Sequence, residues 1–222
     1  MKKMHGRLCI MIGAALLLAA LSLVLYNLNK DSQGGKASQE LLAELKLEMP
    51  QISSDDGNLS NNDLFKEYED DEPDQDNFIE VNGRIYAGVI YIPSLQLELP
   101  VLSEWSYDNL DISPCRYSGS AFKGNLIIAA HNYRSHFGRL QELGSGDTII
   151  FTDGKGIVYE YETVQTETVD GRDVEAMELG SENNWDLTLF TCTLSGQSRV
   201  TVRAVQTLSL IHISEPTRLL SI

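Results

Sequence analysis

Cys192, His131 and Arg199 are the residues of this 222-residue chain whose types and settings suit nucleophilic chemistry. A cysteine attacks as its thiolate and needs a base or a cation nearby. Cys192 closes the run TLFTC at Thr188–Cys192, and a polar stretch with Ser195 and Gly196 follows. A strand end of this kind fixes a side chain and leaves it open to solvent. Arg199 lies seven residues beyond and opens the run RVTVRAVQ at Arg199–Gln206. The two residues therefore flank one loop between strands able to pair antiparallel, which would bring both to the same end of a sheet. His131 closes another apolar run, NLIIAA at Asn125–Ala130. Two other readings of Cys192 stand beside this one. Outside the cytoplasm cysteines normally pair, so a Cys115–Cys192 disulfide competes with the nucleophile. A zinc site is disfavoured because the His and Cys residues lack paired ligand spacing.

The elements that must position these residues are short and β-rich. Arg84–Ile92 (RIYAGVIYI), Leu97–Val101 (LELPV), Asn125–Ala130, Asp147–Thr152, Ile157–Thr166, Asp186–Cys192 and Arg199–Gln206 read as strands, separated by turn residues such as Asp153–Gly156. Phe137–Leu143 reads as one or two helical turns. Many short strands with few helices imply an all-β closed barrel or sandwich. Residues 81–207 are of ordinary size for one such domain. His136 is expected to shape the loop after His131, Cys115 to be a bystander, and Asp147 to serve a turn. Trp105 and Trp185 are expected to pack rather than bind.

With these residues in place the sequence resembles the sortases of Gram-positive bacteria. The TLxTC signature is intact at Thr188, Leu189, Phe190, Thr191 and Cys192. The family histidine follows a small residue at the end of an apolar strand, matched by Ala129, Ala130 and His131. The family arginine opens the strand after the cysteine loop, matched by Arg199. Ile92–Pro93 and Pro100–Val101 resemble the entry strands, and the likeness covers about residues 84–206. One departure is Ala130, where many members carry glycine. The resemblance implies a closed eight-stranded β-barrel with short helices and a cysteine transpeptidase. Cys192 would attack an LPxTG-like sorting signal to give a thioacyl intermediate. His131 would shuttle the proton between leaving and entering amines, and Arg199 would hold the substrate carbonyl and its oxyanion. Thr191 would bond near the bound peptide. The resolving amine would come from a peptidoglycan precursor or a pilin lysine. Two alternatives remain: a cysteine peptidase that releases the product by hydrolysis, and a catalytically silent module that binds sorting signals. No cofactor or metal is expected. Some sortases use calcium, but no site for it is assignable here.

The rest of the chain divides by composition. Residues 1–7 are basic, and Leu8–Leu28 is a charge-free apolar run of 21 residues, long enough to cross a bilayer. With Lys2, Lys3 and Arg7 before it, the positive-inside rule places the N-terminus in the cytoplasm and the catalytic domain outside, on a single-pass uncleaved anchor. Residues 29–80 are expected to be an acidic extracellular tether. Within them, Ser38–Met49 has helical spacing with Leu41, Leu42, Leu45 and Met49 on one side and Ser38 as its cap. The run EYEDDEPDQD at Glu67–Asp76 should be an extended spacer. Of the net charge of −15, −12 belongs to residues 31–80, and the chain has no basic face for nucleic acid. Residues 208–222 break the β pattern, and LSLIHISEPTR at Leu208–Arg218 reads as translated sequencing-adapter DNA.

Overall fold

The computed structural model describes residues 2–49, 77–178 and 185–207. Among the described residues nine strands follow one another: β1 (Ile79–Val81), β2 (Arg84–Ile92), β3 (Leu97–Leu102), β4 (Cys115–Ser118), β5 (Leu126–Ala129), β6 (Thr148–Asp153), β7 (Val158–Asp170), β8 (Leu187–Cys192) and β9 (Ser198–Gln206). Around the sheet the order is β1-β2-β3-β4-β5-β8-β9-β7-β6, and β6 returns to pair with β2. Strands β2 to β9 thus close an eight-stranded barrel, and β1 extends it as a short hairpin arm. Closure depends on Gly88. It pairs with Asp153 across the β2–β6 seam at φ +154°, and a Cβ there would overlap the Thr152 carbonyl.

Strand periodicity explains how the wall is packed on both sides. Alternate residues of a strand face opposite sides of the sheet. In β5 all four residues are buried: Leu126 and Ile128 point into the barrel, while Ile127 and Ala129 join a second cluster outside it. In β8, Leu187 and Leu189 face inward and Phe190 outward. Strands buried on both faces read as continuous apolar runs, as NLIIAA does. The interior is filled by large side chains that include Phe137, Phe151, Tyr161 and Leu140.

What covers the outer cluster is the far half of a long helix. Helix α1 runs from Lys2 to Glu48. From Ile10 onward it is long and apolar enough to cross a membrane, and none of its most apolar window is buried. Its later part docks on the barrel instead, with Leu41, Leu42 and Leu45 packed beside Tyr86, Leu102, Cys115 and Phe190. The helix expected over Ser38–Met49 is therefore present, but it is the end of α1. Ser38 does not cap it. That side chain is fully buried in mid-helix, and its hydroxyl donates to the Ile112 carbonyl (2.6 Å). Residues 29–48 of the expected tether are thus helical. Small residues let the helix come close, since a Cβ at Gly35 would stand 2.8 Å from the Ser135 Cβ. The acidic run at Glu67–Asp76 and the tail at residues 208–222 lie outside the described residues.

Among the described residues two further helices are short: α2 (Tyr107–Leu110) and α3 (Val174–Glu178). A single-turn 3-10 segment at Leu140–Glu142 takes the place of the turns expected in Phe137–Leu143. The strand at Cys115–Ser118 was not expected from the sequence. It is four residues long and joins β3 through a single parallel pairing, Leu102 with Cys115.

Candidate active site

The site is built by three adjacent strands. In the β8–β9 hairpin Cys192 stands directly opposite Arg199, so their side chains leave the sheet on the same face. On the other flank β5 runs parallel to β8, with Ala129 level with Phe190. Two bonds carry that register to the strand ends. The Ala130 N–H donates to the Phe190 carbonyl (3.2 Å), and the Thr191 hydroxyl donates to the Ala130 carbonyl (2.9 Å). Two residues beyond Ala129 is His131, and two beyond Phe190 is Cys192. The order β5-β8-β9 therefore lays His131, Cys192 and Arg199 side by side at one end of the barrel, all half-buried.

Each side chain has its own surroundings. Cys192 lines a cavity of about 390 Å³ with Asn132, Thr191 and Leu194. Both Cys192 and Cys115 are free thiols, which corrects the disulfide reading. Cys115 opens β4 and is sealed in the outer cluster, where burial pushes its thiol up to about 12. Arg199 donates from Nη1 to the carbonyls of Gly196 (3.0 Å) and Ser198 (3.1 Å). Its guanidinium lies against Gly171, where a Cβ would come within 2.8 Å of Nη1. Thr191, expected to contact substrate, is buried at 3% exposure, and its hydroxyl is committed to tying β8 to β5. Ala130, the departure from the family pattern, is buried beside it.

His131 has a partner that the sequence did not reveal. Its Nε2 lies 3.2 Å from Asp111 Oδ1. Asp111 follows α2, whose start is capped by Ser106 accepting from the Asn109 N–H (3.1 Å). The same carboxylate accepts from the Tyr133 hydroxyl (3.3 Å) and pairs with Lys30 of α1 (3.5 Å). The Tyr133 ring stands 4.9 Å from the imidazole. Nothing in the local run NLDIS marks Asp111 as functional; only the parallel β3–β4 crossover brings it under His131.

The second histidine of this loop is structural. His136 is fully buried, with Nε2 3.0 Å from the Ser38 hydroxyl of α1. Burial depresses its pKa to about 4, partly opposed by a hydrogen bond with the Gly34 backbone. Asp147 serves a turn, accepting the Gly144 N–H at 2.7 Å. Among the described residues no group of three His, Cys, Asp or Glu side chains is placed to hold a metal ion.

Comparison with known proteins gives a consistent answer. A family model described as a sortase domain matches residues 90–207, more than half of the chain. Over 109 residues the chain is 29% identical to Sortase D of Bacillus subtilis (strain 168), covering 48% of this chain and 54% of that protein. It thus spans about half the length of the curated relative it matches. Sortase A from Corynebacterium diphtheriae has a similar fold, with a TM-score of 0.50 at 24% identity over 56% of this chain and 61% of that one. A structure of Clostridium perfringens sortase C with the C-terminal cell wall sorting motif also matches, with a TM-score of 0.47 at 26% identity over 55% of this chain and 70% of that one.

Proposed function

This chain belongs to the sortase family, and we propose that it is a membrane-anchored cysteine transpeptidase with Cys192 as nucleophile, His131 as general acid and base, and Arg199 as oxyanion partner. The observation that carries this reading is the register: Cys192 opposite Arg199 on one flank, and His131 beside it on the other.

In the first half-reaction the Cys192 thiolate adds to the carbonyl of the threonine in an LPxTG-like sorting signal. Charge collects on the carbonyl oxygen, and the Arg199 fork can donate to it by turning from the Gly196 and Ser198 carbonyls it now holds. As the C–N bond breaks, His131 gives its proton to the leaving amine. A thioacyl enzyme and a neutral imidazole remain. In the second half an amine, from a cell-wall precursor or a pilin lysine, attacks the thioester and the C–S bond breaks. His131 then takes a proton from that amine. Thr191 serves as the anchor that keeps β8 and β5 in step below the nucleophile. The apolar part of α1 anchors the protein in the membrane, with the catalytic domain on the outer face.

The test is a product assay on the full chain in detergent micelles, using an LPxTG-type peptide with and without an added amine. The reading predicts a transfer product that needs the amine and disappears in Cys192→Ala. Hydrolysis alone, whatever amine is offered, would make the chain a peptidase. Peptide bound but never cleaved would make it a silent binding module.

A further inference from the structure

We infer that the cavity between α1 and the His131 loop seats the acceptor amine, with Asp111 holding its ammonium group and Lys30 occupying that seat in the resting protein. The inference rests on the acyl-transfer reading above and adds a binding site to it.

The strand order restricts where an acceptor can approach. Arg199 stands on the β9 side of Cys192 and His131 on the β5 side. One base serves both the leaving and the entering amine, so the acceptor must arrive from the His131 side. On that side lies a cavity of about 860 Å³, bounded by α1 and lined by Lys30, Asp111, His131 and Tyr133. It adjoins the cavity that holds Cys192, and Asn132, Thr193 and Leu194 line both. A nucleophile placed in the larger cavity therefore faces the thioester past His131.

The chemistry of the cavity suits a primary ammonium. An aliphatic amine is almost wholly protonated at neutral pH. The Asp111 carboxylate is half-exposed to the cavity and lies 3.2 Å from His131 Nε2, so an ion held there is next to its base. A primary ammonium already fits: the Lys30 Nζ lies 3.5 Å from Asp111 Oδ2. Arg134 also lines the cavity, while two of the other charged groups there are engaged elsewhere. Asp31 accepts from the Ser135 N–H and hydroxyl, and Arg139 forks onto Glu142. In the transfer step the acceptor displaces Lys30 and loses two protons in all. One goes to His131 and one to water. The new C–N bond forms, the C–S bond breaks, and the thiolate–imidazolium pair is restored.

The experiment follows both half-reactions on the full chain in micelles, with Nα-acetyl-lysine amide and glycine amide as acceptors. Asp111→Asn keeps the shape and the hydrogen-bonding oxygen but removes the charge. It should raise the amine KM by about tenfold, the cost of one charge-assisted contact, and shift products towards hydrolysis. Release of the first leaving peptide should fall by a clearly smaller factor. Lys30→Met should act in the opposite sense and lower the amine KM about two- to fivefold. The acceptor that depends more on Asp111 identifies the natural ammonium as a lysine side chain or an α-amine. Equal losses in both half-reactions for Asp111→Asn, with no change for Lys30→Met, would overturn the inference and leave Asp111 as a positioning residue for His131. No acylation in the unaltered chain would instead defeat the transpeptidase reading itself.

Discussion

The open end of the barrel and its sealed wall set a cysteine, a histidine and an arginine in opposite states. Cys192, His131 and Arg199 are half-buried at the ends of neighbouring strands, and Cys192 and His131 each border a cavity. Cys115, His136 and Arg203 are fully buried. Each of these is fixed to structure: Cys115 to the Ser113 carbonyl, His136 to Ser38 of α1, and Arg203 to Glu167, Thr188 and the Met177 carbonyl. Residue type therefore does not decide reactivity here. A thiol sealed among apolar groups stays protonated, whereas the same thiol at a strand end beside a base and a cation has the partners that make a nucleophile.

The two cysteines should show the widest separation. Cys192→Ala should lower peptide cleavage at least about 1000-fold, since removing a nucleophile leaves only binding and oxyanion stabilisation. Cys115→Ala should stay within about threefold of the unaltered rate in the same assay, with a stability loss of about 1 kcal/mol. A large loss of cleavage for Cys115→Ala alone would break the contrast.

The arginines should separate function from stability. Arg203→Ala leaves Glu167 and the α3 carbonyls without their donor and should cost about 3–5 kcal/mol by urea denaturation. Arg199→Ala removes two hydrogen bonds to the Gly196 and Ser198 carbonyls and a contact with Gly171. It should leave the urea midpoint nearly unchanged and slow acylation about 100-fold or more. Matching effects from the two would make Arg199 structural.

His136 gives the wall a pH dependence. Its folded pKa, about 4, lies below the ordinary histidine value, so between the two the unfolded chain binds the extra proton. Stability is then full above about pH 6.5 and falls as the pH drops towards 4. The loss should be on the order of 3 kcal/mol. Urea midpoints at pH 7 and pH 4.5 check this, and His136→Gln should flatten that part of the profile. The smallest contrast is chemical. Iodoacetamide at pH 8 should label Cys192 well before Cys115, read by peptide mapping, because burial holds the Cys115 thiol at about 12.

How much of this was legible in the sequence follows from where each signal is encoded. The barrel strands were readable because their apolar runs are continuous or alternate: TLFTC ends with β8, and NLIIAA ends one residue beyond β5. Strand β4 was not, because the four residues that begin at Cys115 carry no period and pair in a crossover. The apolar stripe Leu41, Leu42 and Leu45 announced a helix, but its docking site is assembled from Tyr86, Leu102 and Phe190, far away in sequence. Asp111 was invisible for the same reason: its contact with His131 exists only once β4 and β5 have paired. The three candidate residues were picked out through local motif, whereas their partners are set by tertiary placement.

The claim that the open end does acyl-transfer chemistry is tested most directly by intact-protein mass spectrometry. The full chain is mixed with an LPxTG-type peptide without amine and quenched in acid within seconds. The account predicts a mass gain equal to the acyl fragment of the peptide, mapped to Cys192 and cleared on adding amine. An unmodified Cys192 at every time point, with the peptide cleaved nonetheless, would contradict it.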